Sequence, residues 1–367
     1  MRELRVNLKH HPYSLLVGRG TLKVLGTRLK RLGLAGKVMI LTDRKVARYY
    51  LRRVRSVLER AGFQTYTYDS LPLNESAKSE KSLFEIYARL VHTGFDRTSF
   101  LVALGGGMVG DVAGFAASTY MRGIPWVVVP TTLLAQVDSS IGGKTAINLP
   151  EGKNLVGTFY QPKLVLADMD FLRTLPELEL CHALAEVIKY AVIWDADFFS
   201  FLEKHIAEAR KKNLKILERI VYECARIKKM VVERDECEVK NLRMILNYGH
   251  TFAHAFEAAS ETWTSSIPHG EAVAVGMVAA AELAYRQGLF SRKSQIRQLH
   301  LIRAAGLPVR LRKNLVVSRV LKCMQHDKKM HRGKLRFILP IRMGKVTVSS
   351  DVPLSFVRHA IQGLSKS

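Results

Sequence analysis

Apolar residues occur in short unbroken runs along the first half of the chain and at helical spacing along the second. Runs at 38–41, 100–104, 126–129 and 165–167, with a β-rich run at 63–68, predict strands. Periodic stretches at 46–61 and 78–92 predict helices between them. Strand–helix alternation of this kind predicts a parallel sheet with helices on its faces. From about residue 174 the strand-like runs stop. Stretches 175–190, 197–211, 214–233, 246–260, 270–287 and 293–305 carry apolar residues three and four apart, which predicts helices. The expected organisation is an α/β domain at 1–173 followed by an all-α domain at 174–367, with the boundary near 172–176. That size suits two ordinary domains.

Composition narrows the class. The chain is 48% hydrophobic, as soluble globular proteins are. No apolar run reaches the roughly 18 residues of a membrane span. The nearest candidates, 123–135 and 272–284, are broken by Pro125 and Pro130 and by Glu282. The opening MRELRVNLKHH has no apolar core of a signal peptide. Cys181, Cys224, Cys237 and Cys323 lie far apart without a CxxC, which fits reduced thiols in a cytoplasmic protein. The net charge of +25 is uneven: residues 1–60 hold 16 Lys and Arg against 3 acids, and residues 286–367 hold 19 against 2. Aromatic residues are not interleaved with these runs, so no dedicated nucleic-acid partner is expected. A basic surface that draws in an anionic small molecule is the expectation instead.

Four stretches carry candidate chemistry. FLVALGGGMVGD (100–111) reads as a strand, a glycine turn and a helix. It fits either a pyrophosphate held by backbone N–H groups or a structural turn, and its spacing is not GxGxxG. Asp43, ending an earlier strand, fits either a ribose acceptor or a surface turn. QVDSSIGGKTAIN (136–148) lacks the first glycine of a P-loop, because Asp138 stands there. It places Asp138 and Lys144, with Lys153 and Asn154 just beyond, in what reads as a flexible glycine-rich loop suited to an anion. LAEVIKY (184–190) sets Glu186 and Lys189 one turn apart on an apolar helix. NLRMILNYGHTFAHAFE (241–257) spaces Arg243, Asn247, His250 and His254 along one expected helical stripe. SIPHGEAVAVG (266–276) adds His269. Two histidines and one carboxylate from three helices make a three-ligand zinc set with an open position.

Taken in order, GGGMVGD, QVDSSIGGKTAIN, GKNLVG, LAEVIKY, LNYGHTFAH, HGEAVAVGM and HDKK (326–329) resemble the 3-dehydroquinate synthase family, over about residues 40 to 340. The resemblance implies a Rossmann-like NAD-binding α/β domain, an all-α metal domain and an active site between them. It implies a lyase of the shikimate pathway, feeding chorismate and aromatic amino-acid biosynthesis, which converts 3-deoxy-D-arabino-heptulosonate 7-phosphate to 3-dehydroquinate and phosphate. NAD oxidises the substrate transiently, phosphate is eliminated, the hydride returns, and the opened ring closes by an intramolecular aldol step. In the family's mechanism the substrate phosphate takes a proton itself.

By the same resemblance, Glu186, His250 and His269 hold Zn2+ or Co2+. Lys144, Asn154, Lys189, Lys229, Arg243, Asn247, His254 and Lys328 are catalytic. Asp138, Lys153 and Lys329 contact substrate, and Arg122 reaches the substrate of a neighbouring subunit in a homodimer. Asp43, Glu75, Lys78, Gly105, Gly106, Gly107, Asp111, Thr131, Thr132, Lys144 and Lys153 serve NAD. The chain departs from the family pattern at Lys45, Ala191 and Cys237, none of them a proposed ligand. Sister sugar-phosphate cyclases and metal-dependent polyol dehydrogenases share the two-domain plan. Asn154, Arg243, Asn247 and His254 together favour the carboxylate-bearing substrate.

Overall fold

The computed structural model describes residues 1–260, 267–311, 316–325 and 335–364. The chain forms two compact units. The first is Met1–Leu175 with Leu217–Cys237, and the second is Pro176–Ile216 with Glu238–Ser367. A single cut near residue 173 therefore does not describe them. From Leu217 onward, the helix Leu214–Arg234 belongs with the α/β unit, a tertiary choice that its helical periodicity does not encode.

The first unit is built on a sheet of β1 (Arg2–Val6), β2 (Tyr13–Gly18), β3 (Lys37–Asp43), β4 (Gln64–Leu71), β5 (Phe100–Gly105), β6 (Trp126–Pro130) and β9 (Leu164–Asp168). Their order is β1-β2-β9-β6-β5-β3-β4. All neighbours are parallel except β1 and β2. The inner strands read FLVALG, WVVVP and LVLAD and are buried at every position, as strands covered on both faces must be. On one face Leu25, Leu29, Val54 and Leu58 pack against Val38, Ile40, Phe100 and Val102. The edge strand β1 was not legible as a strand, because Arg2, Glu3 and Arg5 leave it only two apolar positions; edge strands use such charges to resist further pairing. The chain runs from β3 outward to β4, then returns to place β5 on the other side of β3. The carboxyl ends of β3 and β5 thus flank the point where the winding reverses, the place where open α/β sheets hold ligands.

β7 (Lys144–Leu149) and β8 (Gly152–Phe159) form a separate antiparallel hairpin, with Lys144 opposite Phe159 and Ile147 opposite Val156. The stretch expected to be a flexible loop is therefore a wide helical turn at Ala135–Ser139 followed by this hairpin. Thr145 and Ile147 point inward from β7 as β-branched residues on a half-buried strand do.

The second unit is mainly helical, with helices Glu177–Trp194, Ala196–Arg210, His250–Ser260, His269–Arg286, Arg292–Ala304, Val317–Gln325 and Leu354–Gln362. It also carries a hairpin of β10 (Phe337–Arg342) and β11 (Lys345–Ser349), which the all-α expectation omitted. None of the described helices is long and apolar enough to cross a membrane.

Candidate functional site

In the second unit three helices converge through close backbone contacts. Gly249 takes φ +79°, and a Cβ on it would lie 2.8 Å from Met277 Cγ. A Cβ on Gly276 would lie 2.2 Å from Gly249 O. Only glycines let the start of His250–Ser260 seat this deeply on His269–Arg286. At the start of that second helix, Gly270 meets the backbone of His182, on the helix Glu177–Trp194, equally closely. These contacts bring Glu186, His250 and His269 together. One ligand atom from each lies within 4.8 Å of the others.

The expected single stripe through Arg243, Asn247, His250 and His254 is corrected. Leu242–Asn247 is a 3-10 turn, Tyr248 and Gly249 break the chain direction, and the α-helix begins at His250. The left-handed Gly249 cannot continue a helix. His254 still stands beside His250, with ring centroids 5.6 Å apart and planes nearly perpendicular. Arg243 is 2% exposed, its Nε 3.4 Å from Glu238 Oε1, and Asn247 closes the 3-10 turn.

The donor set suits a divalent cation. His250 Nδ1 donates to Tyr248 O at 3.2 Å, leaving Nε2 3.3 Å from Glu186 Oε1. His269 places Nδ1 2.9 Å from Glu257 Oε1 and Nε2 3.5 Å from Glu186 Oε1. Carboxylate and carbonyl partners behind ligating imidazoles are the usual support of zinc sites. Burial would raise the Glu186 carboxyl. Lys189, whose ammonium touches Oε2, and then His250 override that and hold it well below the ordinary carboxylate range. Burial lowers His250 to about 4, against the opposing pull of Glu186, so it stays neutral. Burial acts on His269 in the same direction, but the hydrogen bonds and charges of Glu186 and Glu257 outweigh it and raise it to about 10. A proton thus stands where the three ligand atoms meet, and a metal ion would replace it.

In the first unit the glycines 105–107 link β5 to the helix Gly107–Thr119. Gly106, Gly107, Ser139, Gly143 and Lys144 line a narrow crevice there. Asp43 ends β3 and accepts from Val46 N at 2.9 Å, capping a short helical turn. Thr131 N donates to Gly105 O, and Thr132 Oγ1 accepts from Ala135 N. Lys78, 4% exposed, donates to Asp111 Oδ2 at 2.7 Å and contacts the Asn154 side chain. Burial raises the Asp111 carboxyl, and Lys78 opposes the rise. Asn154 adopts a left-handed φ of 55° on β8, a conformation that asparagine tolerates better than most residues other than glycine. Glu75 accepts from Asn148 Nδ2, and Lys153 is exposed on β8.

Two adjacent lysines face different partners. Lys229 pairs with Glu233 on its own helix at 2.8 Å. Its neighbour Lys228, 8% exposed, reaches Asp138 instead, contacting both its carboxylate and its carbonyl oxygen. Adjacent residues on a helix point about 100° apart, so only one can face Asp138. Arg122 is exposed on a turn in which Met121, Arg122 and Gly123 all have positive φ. Lys328 and Lys329 lie outside the described residues. The sequence reading passed over Lys228, Glu238, Tyr248 and Glu257. Glu257 had a signal, since it falls seven residues after His250 and so on the same helical face.

The chain matches the model for the 3-dehydroquinate synthase N-terminal region over residues 69–182 and that for the C-terminal region over 183–330. It is 45% identical to 3-dehydroquinate synthase of Thermodesulfovibrio yellowstonii, over 96% of this chain and 97% of that protein. Among solved structures it is similar to 2-epi-5-epi-valiolone synthase from Streptomyces hygroscopicus with NAD+ and Zn2+ bound. That match has 28% identity and a TM-score of 0.87, covering 98% of each chain. It is also similar to 2-deoxy-scyllo-inosose synthase complexed with carbaglucose-6-phosphate, NAD+ and Co2+. Here identity is 27% and the TM-score 0.89, covering 99% of this chain and all of that one.

Proposed function

The chain belongs to the 3-dehydroquinate synthase family, and from that premise we infer how its own residues carry out the family's reaction. The activity is conversion of 3-deoxy-D-arabino-heptulosonate 7-phosphate to 3-dehydroquinate and phosphate. The observation that carries the residue assignment is the convergence of Glu186, His250 and His269, with Lys189 bound to the carboxylate. When bound there, a divalent metal acidifies substrate hydroxyls, and NAD takes and returns a hydride. The solved cyclases with NAD+ and Zn2+ or Co2+ support both cofactors for this chain.

Glu186, His250 and His269 would hold the metal. Glu257 and the Tyr248 carbonyl would fix the histidine tautomers. Glu186 is tied to Lys189 and faces both imidazoles, so it is not placed to act as a general base. This supports proton transfer to the substrate's own phosphate. Lys144, Lys189, Lys228 and Arg243 are the cations we assign to a substrate bearing phosphate and carboxylate. Lys228 replaces Lys229 in this assignment because of its contact with Asp138. Asp43, the glycines 105–107, Asp111 and Lys78 would serve NAD, supported by their place at the carboxyl ends of β3 and β5 or against Asp111. Arg122, exposed on a positive-φ turn, is the residue we assign to reach a second copy in a homodimer. The far greater sequence identity to a 3-dehydroquinate synthase than to the sister cyclases favours the carboxylate-bearing substrate.

Phosphate release from the heptulosonate phosphate tests the reading, with and without NAD and with and without a chelator. Release that needs both, with no NADH accumulating, is the expected result. Metal-loaded protein that releases none, yet turns over sedoheptulose 7-phosphate or glucose 6-phosphate, would move the assignment to a sister cyclase.

A further inference from the structure

Tyr248 and Gln298 are buried polar side chains to which the reaction described above gives no role. Tyr248 is fully buried, and its hydroxyl donates to Gln298 Oε1 at 2.9 Å. Gln298, 1% exposed on the helix Arg292–Ala304, donates from Nε2 to Met277 O at 3.0 Å. The hydroxyl itself lies 3.2 Å from the same carbonyl. The three groups close a small ring in apolar surroundings, and removing one would strand the others. A phenylalanine at 248 would fill nearly the same volume, so packing alone calls for neither a hydroxyl there nor a buried amide at 298.

What distinguishes Tyr248 is the other end of the residue. Its carbonyl accepts the Nδ1–H of His250 at 3.2 Å, and an imidazole that donates from Nδ1 presents an unprotonated Nε2. That Nε2 is the atom 3.3 Å from Glu186 Oε1. Gly249, the residue between, sits against Met277. The side-chain ring and the glycine contact therefore fasten residues 248–249 to one stretch of the helix that begins with His269.

We propose that Tyr248 and Gln298 are positioning residues of the metal site: their buried hydrogen bonds to each other and to Met277 fix the Tyr248 carbonyl, and through it the tautomer and direction of His250. The inference rests on reading Glu186, His250 and His269 as metal ligands. Outer partners of metal-bound histidines act in this way, and their loss costs affinity without removing a ligand.

Wild-type protein, Tyr248→Phe, Gln298→Met and the double variant are stripped of metal and titrated with zinc against a chromophoric chelator. Unfolding midpoints are measured metal-free. Each single variant is expected to bind zinc about 10-fold more weakly and to shift the d–d absorption of the cobalt-loaded form. The double variant strands neither side chain, and the Met277 carbonyl keeps its place within the helix His269–Arg286, so the unfolding midpoint recovers but the affinity does not. Single variants within about twofold of wild-type affinity overturn the proposal, as does a double variant whose affinity returns together with its midpoint. Should a single variant fail to fold, the double variant decides alone. Wild-type protein that binds no zinc overturns the metal-site reading and this proposal with it; the preceding outcomes overturn the proposal alone.

Discussion

His269 stands between two carboxylates, with Nδ1 2.9 Å from Glu257 and Nε2 3.5 Å from Glu186. The first carboxylate orients the ring, and the second belongs to the cluster the ring completes. Glu257→Gln keeps an acceptor oxygen but loses the charge. It is expected to weaken zinc binding by about 10-fold, and Glu257→Ala by up to about 100-fold, as a chelator competition would measure. His250→Ala removes a ligand outright and should abolish stoichiometric zinc and activity together; zinc retained at one per chain would remove His250 from the set.

Metal binding should be steeply pH-dependent. In the metal-free protein His269 is raised to about 10 by Glu186 and Glu257 against the effect of burial. Its protonated form therefore adds stability that is fully present below pH 6.5, the ordinary histidine value, and is lost as pH rises through 10. Zinc must displace that proton, so its affinity should rise about 10-fold per pH unit through the neutral range and level off near pH 10. Calorimetry in two buffers of different ionisation enthalpy should show about one proton released per zinc near neutrality. Zinc binding with no proton release at neutral pH would contradict the arrangement around His269.

Lys228 and Lys229 separate by direction rather than by chemistry. Lys228→Met strips the cation from Asp138 and is expected to lower kcat/KM by about 100-fold while zinc stays bound. Lys229→Met breaks only a partly exposed pair with Glu233 and should stay within about threefold of wild type. The reverse order would return the assignment to Lys229.

Gly276→Ala places a methyl 2.2 Å from Gly249 O. The cost expected is about 1–3 kcal/mol, read as a lowered denaturation midpoint, because neither helix can withdraw without moving the other. Zinc affinity should fall with it, since the same contact seats His250. An unchanged midpoint would mean that the crossing relaxes freely.

Much of the candidate site was legible because metal ligation and anion binding demand particular side chains at particular spacings. Glu186 and Lys189 stood out as charges on an apolar helix, and both prove 2% exposed. His250 stood out on an expected polar stripe and His269 just ahead of a helix, whereas the structure starts a helix at each. Glu257 was visible but had no assigned partner, because its role depends on a ring that arrives from another helix. The hairpin of β7 and β8 was hidden by its glycines and charges, which read as a loop until the inward alternation of Thr145 and Ile147 is known.

The sequence by itself determined the inner strands β3, β5, β6 and β9, the helices between and after them, the glycine turn after β5, and the residue types able to bind a metal and an anion. These follow from local periodicity and from the chemistry of single side chains. Only the tertiary structure decided that Lys228 rather than Lys229 faces Asp138, and that Leu217–Cys237 belongs with the α/β unit. It alone decided that the chain breaks at Gly249, so that Arg243 and His250 lie on separate turns. The physical reason is common to all three. Each depends on which backbone surfaces approach within contact distance, and residues far apart in the chain set that approach.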